Sequence, residues 1–327
     1  MTASRALSNR QVARAALVVI LGFLASGVLG FIRVLIVSRQ FGTSEALDAF
    51  YAAQQIPELI FVLVAGGALG SSFIPIYAKL REEDEEQAWR LASGVMTLAA
   101  LAAGVLGLLV IILAPWLVGS VLLPGRSPEA QALTINLTRL MMVTPFIFSI
   151  SGLVMGILQS HGVFLLPALA ISMNNIGIMI GALLLAPALP PVSGVAQVGN
   201  ANVYGLAYGA ILSAGLHLAV QVPGLFQIRA RLRPLPDPRI SGVVRVLALM
   251  GPRVLGLAVV QVNFFVNIIL TAPMIEGSYT ALRTAFTLMF SVLGIIAQSV
   301  GSAVFPTLSA LAAADDLPGF KDRLAAA

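Results

Sequence analysis

The sequence is poor in the residues that usually carry chemistry. It has no cysteine, only two histidines, and 10% charged residues. Without cysteine the chain can form no disulfide and use no thiolate, and His161 and His217 stand too far apart in sequence to form a recognisable metal motif. It also contains no nucleotide-binding glycine loop and no Ser-His-Asp arrangement. These absences predict that the protein is not an enzyme and holds neither a cofactor nor a metal cluster.

What dominates instead is apolar sequence. Hydrophobic residues make up 58% of the chain, and its mean hydropathy is +0.96. A soluble domain carries about 25% charged residues, and several runs here reach the roughly 20 apolar residues that cross a bilayer. We therefore predict an all-α polytopic membrane protein. The net charge of +5 does not indicate nucleic-acid binding, because the basic residues follow the loops instead of clustering on one face.

The apolar runs predict eight spanning helices, and the basic residues fall in alternate connections. The predicted helices cover residues 12–37, 46–79, 89–118, 132–158, 164–187, 203–228, 248–272 and 282–304. If the N-terminus is cytoplasmic, 14 of the 19 Lys and Arg residues lie in cytoplasmic segments. The positive-inside rule therefore favours a multi-pass protein with a cytoplasmic N-terminus.

A weak internal repeat links the start of the chain to its last third. Gly27–Gly30 in helix one resembles Arg253–Gly256 in helix seven. Phe73-Ile74-Pro75, which ends helix two, resembles Val304-Phe305-Pro306, which ends helix eight, at nearly the same offset. Parallel repeats of this kind are typical of transporters whose two halves rock about a central site.

The repeat predicts the domain organisation. We expect an N-terminal six-helix lobe over residues 1–228, a cytoplasmic linker over 229–247, and the start of a second lobe over 248–327. That second part would hold helices seven and eight and the approach to helix nine. We expect the chain to be part of a longer transporter, and the alternative is a complete eight-helix protein.

Charged and amide side chains in helices one and two are the first candidate functional residues. Arg33 shares a helix face with small residues, which predicts that it points into the bundle or a wet cavity, although it could also snorkel to the headgroups. Asp48, Gln55 and Glu58 share one face of helix two. Glu58 would lie about 15 Å below Asp48, near the middle of the membrane, where a carboxylate is costly unless neutral, hydrated or paired. Glu58 is therefore a candidate proton carrier or ion-pair partner, and the alternative is a structural hydrogen bond between helices.

Later helices add further polar candidates. Arg253, Asn263 and Asn267 share a face of helix seven, which favours a polar lumen, although amides can also simply join helices and Arg253 could snorkel. Arg139 in helix four and Arg283 at the start of helix eight would add positive charge to a cavity if they face inward.

Several stretches resemble the MurJ (MviN) family of lipid II flippases, in the multidrug/oligosaccharidyl-lipid/polysaccharide exporter superfamily. The resemblance is carried by GFIRVLIVSRQFGTSEALDAF, IPELI, AGGALGSSFIPIYAKL, MGPRVLGLAVVQVNFFVNIILTA and VFPTLS. It extends over nearly the whole chain. It implies fourteen helices in all, as two six-helix lobes around a V-shaped cavity plus two terminal helices.

The resemblance also implies roles for individual residues. Arg33 matches a cavity arginine that holds the anionic headgroup, Asp48 matches the acidic residue that opens helix two, and Asn267 matches a position that binds sodium in some members. Other charged positions of the family hold uncharged residues here, namely Gly27, Val34, Phe61, Val62, Gly66 and Thr287. Arg283 lies one helical turn before Thr287. A diphosphate needs paired positive charge, so these departures bear on the choice of substrate.

The favoured hypothesis is a flippase that moves lipid II, a lipid-linked peptidoglycan precursor, across the bacterial inner membrane by alternating access. Its expected partners are that lipid, membrane lipids and cell-wall synthesis proteins, with a monomeric protein coupled to sodium or protons. One alternative is an exporter of another polyprenyl-linked glycan or amphiphile from the same superfamily. Another alternative is a non-transporting envelope scaffold, which would suit the loss of cavity arginines.

Overall fold

The computed structural model describes most of the chain. The described residues are 9–66, 72–196, 198–237, 239–240, 242–290, 293, 304, 308 and 316–325. The structure divides into two compact units, Met1–Ala281 and Leu282–Ala327. The predicted lobe boundary at 229–247 lies inside the first unit, and the division into lobes by sequence repeat stays a prediction.

Every regular element among the described residues is helical. The α-helices are α1 (Asn9–Phe41), α2 (Glu45–Phe61), α3 (Ile74–Glu83), α4 (Glu85–Trp116), α5 (Pro128–Met141), α6 (Val143–Ser160), α7 (Leu165–Ile180), α8 (Ala186–Ala188), α9 (Tyr204–Ala219), α10 (Val222–Gln227), α11 (Val243–Thr271), α12 (described over residues 278–290) and α13 (Leu317–Ala325). Wider π-helical turns extend α2, α4 and α7 at Val62–Gly66, Leu117–Leu122 and Gly181–Leu185. Short polar side chains cap the N-termini of three helices. Ser44, Asp84 and Ser127 accept hydrogen bonds from backbone N–H groups in the first turns of α2, α4 and α5.

Seven helical segments of the described residues are long and apolar enough to cross a membrane. They correspond to the first seven predicted spans, which confirms the all-α polytopic fold class. The predicted eighth span, 282–304, lies largely outside the described residues. Prediction and structure differ mainly in continuity, because the span predicted over 46–79 is described as α2, its π turn and α3.

The predicted helix 132–158 is also divided, and proline explains the break. Pro145 in the first turn of α6 has no N–H to donate to the carbonyl of Met141, four residues earlier. The hydroxyl of Thr144 donates to that carbonyl instead, at 2.8 Å. The helix is therefore interrupted at Met142, between α5 and α6, without leaving the carbonyl unsatisfied.

Small residues set the packing of the first unit. Helix α7 packs between α1 and α9, and a Cβ added to Gly177 would stand only 2.4 Å from the Cα of Ser213. Helices α2 and α5 and helices α4 and α6 form two further pairs. Helix α2 also packs against α11, and this contact includes Gln55, one of the predicted site residues.

Candidate functional site

Asp48 joins α2 to the start of α12. The whole residue is 7% exposed. It accepts hydrogen bonds from the backbone N–H groups of Gly277 at 2.8 Å and Thr280 at 2.7 Å, 229 and 232 residues later in the chain. The first N–H groups of a helix lack partners within the helix, and a negative charge there is further stabilised by the helix dipole. Asp48 therefore acts as the cap of a helix that belongs to a distant part of the sequence.

Arg126 is the counter-ion of Asp48, and sequence reasoning did not single it out. Its guanidinium lies 3.7 Å from the Asp48 carboxylate, and both side chains are largely buried. It follows Gly125, which adopts a positive φ of 82°. This turn brings the arginine back towards α2. A buried ion pair is stable only when its remaining hydrogen-bonding capacity is used, and the two N–H donors fill that need for Asp48.

Glu45 gives the first turn of α2 a second carboxylate. It accepts hydrogen bonds from the Ser127 hydroxyl and from the backbone N–H of Ala196, each at 3.3 Å. Glu45, Asp48 and Arg126 line a small cavity together with Thr271 and Tyr279. We call this region, which includes the loops at 42–44, 123–127 and 272–277, the Asp48 end of the molecule.

Gln55 makes a second polar contact of α2, with α11. Its side-chain amide donates to the Gln261 oxygen on α11 at 2.6 Å. Gln55 is fully buried and Gln261 nearly so. Gln55 stands about 10 Å along α2 from Asp48, at 1.5 Å per residue. The predicted polar face of α2 thus contacts α11 and the start of α12 at two levels.

The structure does not gather all predicted site residues in this way. Glu58 is exposed on α2 and Arg33 is half-buried on α1. Arg253 and Arg283 are also half-buried, and Arg283 belongs to the second unit. The cavity and coupling roles predicted for these residues stay predictions.

Asn263 and Asn267 lie one turn apart on α11. The Asn267 amide donates to the Asn263 oxygen at 3.3 Å, and the Thr271 hydroxyl donates to the Asn267 carbonyl at 2.7 Å. Among the described residues, no group of three or more His, Asp or Glu side chains could hold a metal ion. The predicted sodium site at Asn267 would instead depend on amide and carbonyl oxygens, which suit such a hard cation.

Arg139 has a structural explanation that the sequence alone did not reveal. Pro115 in α4 has no N–H for the carbonyl of Ile111, four residues before it. The Arg139 guanidinium on α5 donates to that carbonyl at 3.0 Å. Arg139 thereby satisfies a backbone group that proline leaves open, and its proposed place in a cavity stays a prediction.

The opposite end of the molecule, which we call the linker end, holds a cluster built only from the first six helices. The Tyr77 hydroxyl and His161 Nε2 lie 3.0 Å apart. Trp89 stacks on the His161 ring and donates to Glu85 at 3.2 Å. Burial lowers the pKa of His161, and the nearby Arg81 lowers it further against the opposing effect of Glu85.

A second buried histidine lies within the spans, and sequence reasoning gave it no role. His217 Nδ1 lies 2.6 Å from the Ser151 hydroxyl, to which the Gln221 amide also donates at 2.7 Å. The same amide donates to the His217 carbonyl at 2.8 Å. This network ties α9 to α6, and its buried polar atoms mainly satisfy one another.

Comparison with known sequences points to one family. The family model described as Lipid II flippase MurJ matches residues 37–327. The chain is 32% identical over 302 residues to the lipid II flippase MurJ of Burkholderia cenocepacia, covering 90% of this chain and 56% of that protein. It is 27% identical to the probable lipid II flippase MurJ of Synechocystis sp., covering 97% of this chain and 59% of that protein. The chain thus spans about half the length of the curated relatives it matches.

Comparison with solved structures gives the same fold. A lipid II flippase MurJ in an inward closed conformation aligns with a TM-score of 0.73 at 22% identity, over 94% of this chain and 62% of that one. An outward-facing MATE-family multidrug resistance transporter of the MOP superfamily aligns with a TM-score of 0.59 at 15% identity, over 96% of this chain and 67% of that one.

Proposed function

Because the chain belongs to the family of the lipid II flippase MurJ, we propose that it serves, alone or within a longer protein, in moving lipid II across the bacterial inner membrane by alternating access. The polar contacts of α2 carry this proposal. Asp48 holds the start of α12 at one end of the molecule and Gln55 holds α11 further along. A transporter of this kind must close its cavity at one face while the other face opens, and hydrogen bonds between its two halves at one end can form and break in such a cycle.

We further propose that the Asp48 end faces outward and the linker end faces the cytoplasm. Arginines concentrate at the linker end, where Arg229, Arg231 and Arg233 follow one another at every second position. The positive-inside rule puts such connections on the cytoplasmic side. The same orientation makes the N-terminus cytoplasmic.

A reversible cross-link tests alternating access directly, because the chain has no cysteine of its own. We would replace Gln55 and Gln261 by cysteine in the complete open reading frame, change any cysteine outside these 327 residues to serine, and join the two new cysteines with a short thiol-reactive linker that a reductant cleaves. We expect lipid II movement to stop on cross-linking and to return on reduction. Either single-cysteine variant, treated in the same way, is the control. Undiminished movement in the cross-linked protein would contradict alternating access at this contact.

Arg33 is the residue proposed to hold the anionic headgroup. We expect Arg33→Ala to abolish growth of a bacterium depleted of its own flippase, with expression unchanged, because a guanidinium is the natural partner of a diphosphate. Arg39→Ala, which removes an exposed arginine from the same helix, should support growth. Normal growth with Arg33→Ala would count against the headgroup role.

A second candidate function has one observation in its favour. Phe61 lies at a position where the family usually carries arginine, and its ring packs against Phe148 with centroids 5.6 Å apart. An aromatic surface at that level would suit an amphiphile with less negative charge than a diphosphate, such as a glycan linked to a polyprenyl monophosphate. Native mass spectrometry with lipid II and with undecaprenyl phosphate, an anionic lipid without the glycan, separates the two. Binding of neither lipid would favour a scaffold that does not transport.

Coupling and partners complete the proposal. During transport, either Asn267 binds sodium or Glu58 carries a proton. Replacing sodium by potassium at constant pH should therefore slow transport only if Asn267 binds sodium. We also propose that the protein is monomeric and works beside the cell-wall synthesis proteins that use lipid II.

A further inference from the structure

Residues 228–233, directly after α10, alternate between partly buried and exposed side chains. We call residues 228–237 the arginine strap. Its arginines are exposed, whereas the residues between them are partly buried and the apolar ones pack against the main hydrophobic core: the exposed set is Arg229, Arg231 and Arg233, and the packed set is Ile228, Ala230 and Leu232. Ile228 and Arg229 lie in the turn that ends α10, and residues 230–233 then follow the period of two of an extended chain with one face against the protein. All three guanidinium groups therefore project to the side away from the core.

Main-chain hydrogen bonds fix the strap to α4. The backbone N–H of Arg233 donates to the Ser93 hydroxyl at 3.1 Å, and that of Leu235 donates to the Thr97 hydroxyl at 3.0 Å. The Thr97 hydroxyl in turn donates to the Ser93 carbonyl at 2.7 Å. Because these bonds use the backbone of the strap, its arginine side chains are not needed to hold it in place.

The length of the helix that holds Ser93 and Thr97 places the attachment point close to the membrane surface. The helix formed by α4 and its π turn runs over Glu85–Leu122, 38 residues. At 1.5 Å per residue it is about 57 Å long, against about 30 Å of hydrocarbon. If one boundary of the hydrocarbon lies at Leu122 and about 20 residues of the helix cross it, the other boundary lies near residue 103. Thr97 and Ser93 thus lie about 9 Å and about 15 Å beyond the hydrocarbon, at the outer edge of the headgroup layer and just outside it.

Arg229 is held in a conformation that favours glycine. Its φ is 52°, in the left-handed region, directly after α10. The next residue, Ala230, donates its N–H back to the Leu225 carbonyl at 2.9 Å. Glycine commonly occupies this position at a helix end because side chains are disfavoured there. Arg229→Gly would therefore remove a charge without straining the backbone.

We propose that the arginine strap binds the phosphate groups of anionic phospholipids. Guanidinium groups bind phosphate oxygens through paired hydrogen bonds, and basic residues next to a membrane surface are attracted to anionic lipid. The strap links α10 to α11, so bound lipid would hold the connection between the six-helix lobe and the hairpin that follows it. This inference does not depend on which lipid the protein transports.

Lipid retention by the purified full chain tests the proposal. The detergent-solubilised protein is titrated with phosphatidylglycerol and, separately, with phosphatidylcholine, and bound lipid is counted by native mass spectrometry. We expect a preference for phosphatidylglycerol of about tenfold or more, and a fall to about twofold or less in Arg229→Gly/Arg231→Gln/Arg233→Gln. The control, Arg39→Gln/Lys321→Gln/Arg323→Gln, removes the same number of exposed charges elsewhere and should keep the preference.

Two further measurements keep the outcome clear. Arg231→Glu changes one exposed side chain and should weaken phosphatidylglycerol binding even if the triple variant fails to fold. Added inorganic phosphate at millimolar concentration should not displace the lipid. An unchanged lipid preference in Arg231→Glu or in a folded triple variant would overturn the proposal. Displacement by phosphate would also overturn it, since the strap would then bind the free anion.

Discussion

Two aspartates cap helices at opposite ends of this protein, and their partners differ. Asp84 at the linker end is exposed and accepts hydrogen bonds from Glu86 and Gln87, each at 3.0 Å, in the first turn of its own helix. Asp48 is buried and caps α12, which begins more than 220 residues later. The first cap serves local helix formation, whereas the second joins two parts of the fold.

The same contrast extends to the surroundings of each end. Tyr77, His161 and Trp89 tie together helices of the first six-helix group at the linker end. At the Asp48 end, the corresponding polar contacts reach the loop before α12. The first set of contacts stays among α3, α4 and the end of α6, whereas Asp48 adds a contact between α2 and the loop before α12. If the predicted lobes separate in a transport cycle, we expect the Asp48 contacts to break and the Tyr77 cluster to stay intact.

The largest expected effect comes from removing the long-range cap. Asp48→Ala leaves two helix N–H groups and the buried Arg126 without their carboxylate, which should lower the free energy of unfolding by about 3 kcal/mol. It should also open the Asp48 end. A single cysteine placed at Thr271, which lines the cavity beside Asp48, should then react faster with a maleimide. The measurements are thermal unfolding in detergent and the labelling rate.

Asp84→Ala is the matched control for that prediction. It removes a helix cap with local partners, so it should cost about 1 kcal/mol and leave the labelling rate at Thr271 unchanged. Equal labelling in the two variants would contradict a different role for a cap of its own helix and a cap of a helix distant in sequence.

A smaller effect is expected at the linker end, through pH. Burial lowers the pKa of His161 below its ordinary 6.5, so below that value the unfolded chain binds more protons than the folded one. Stability should therefore fall as the pH drops from about 6.5 towards the lowered pKa. His161→Gln should flatten this part of the melting-temperature profile without changing the labelling at Thr271. A profile of the same steepness in the variant would assign the pH dependence to other groups.

The smallest effect is expected between the two ends, at Arg139. Arg139→Met should cost about 1 kcal/mol because the Ile111 carbonyl loses its donor. In a Pro115→Ala background the new backbone N–H can serve that carbonyl, so the same substitution should cost about half as much or less. A double-mutant cycle by chemical denaturation measures the difference. Additive effects would show that Arg139 does not compensate for Pro115.

Much of the fold could be predicted from the sequence because a bilayer imposes a strong constraint. A spanning segment must be long, apolar and helical, so hydropathy places the spans without knowledge of their neighbours. Seven described spans confirm the prediction. The interruptions of the helices were missed, because a π turn such as Val62–Gly66 or a break at Met142 hardly changes the mean hydropathy of a window of sequence.

The candidate site could be predicted only in part. Helical periodicity identified Asp48 and Gln55 as members of one polar face. Asp48 contacts the loop before α12 and Gln55 contacts α11. The same periodicity grouped Glu58 with them, although the structure leaves Glu58 exposed. Arg126 was missed because nothing in a short loop sequence shows that its side chain turns back to a carboxylate on another helix.

The sequence by itself determined that this protein is a bundle of membrane-spanning helices and which side chains are too costly to face hydrocarbon, because both follow from the transfer free energy of each residue. Only the tertiary structure decided where those side chains find their partners. Asp48 meets the N–H groups of α12, and Arg139 meets the carbonyl that Pro115 leaves open. Such pairings depend on which helices lie side by side, and that depends on the packing of the whole chain.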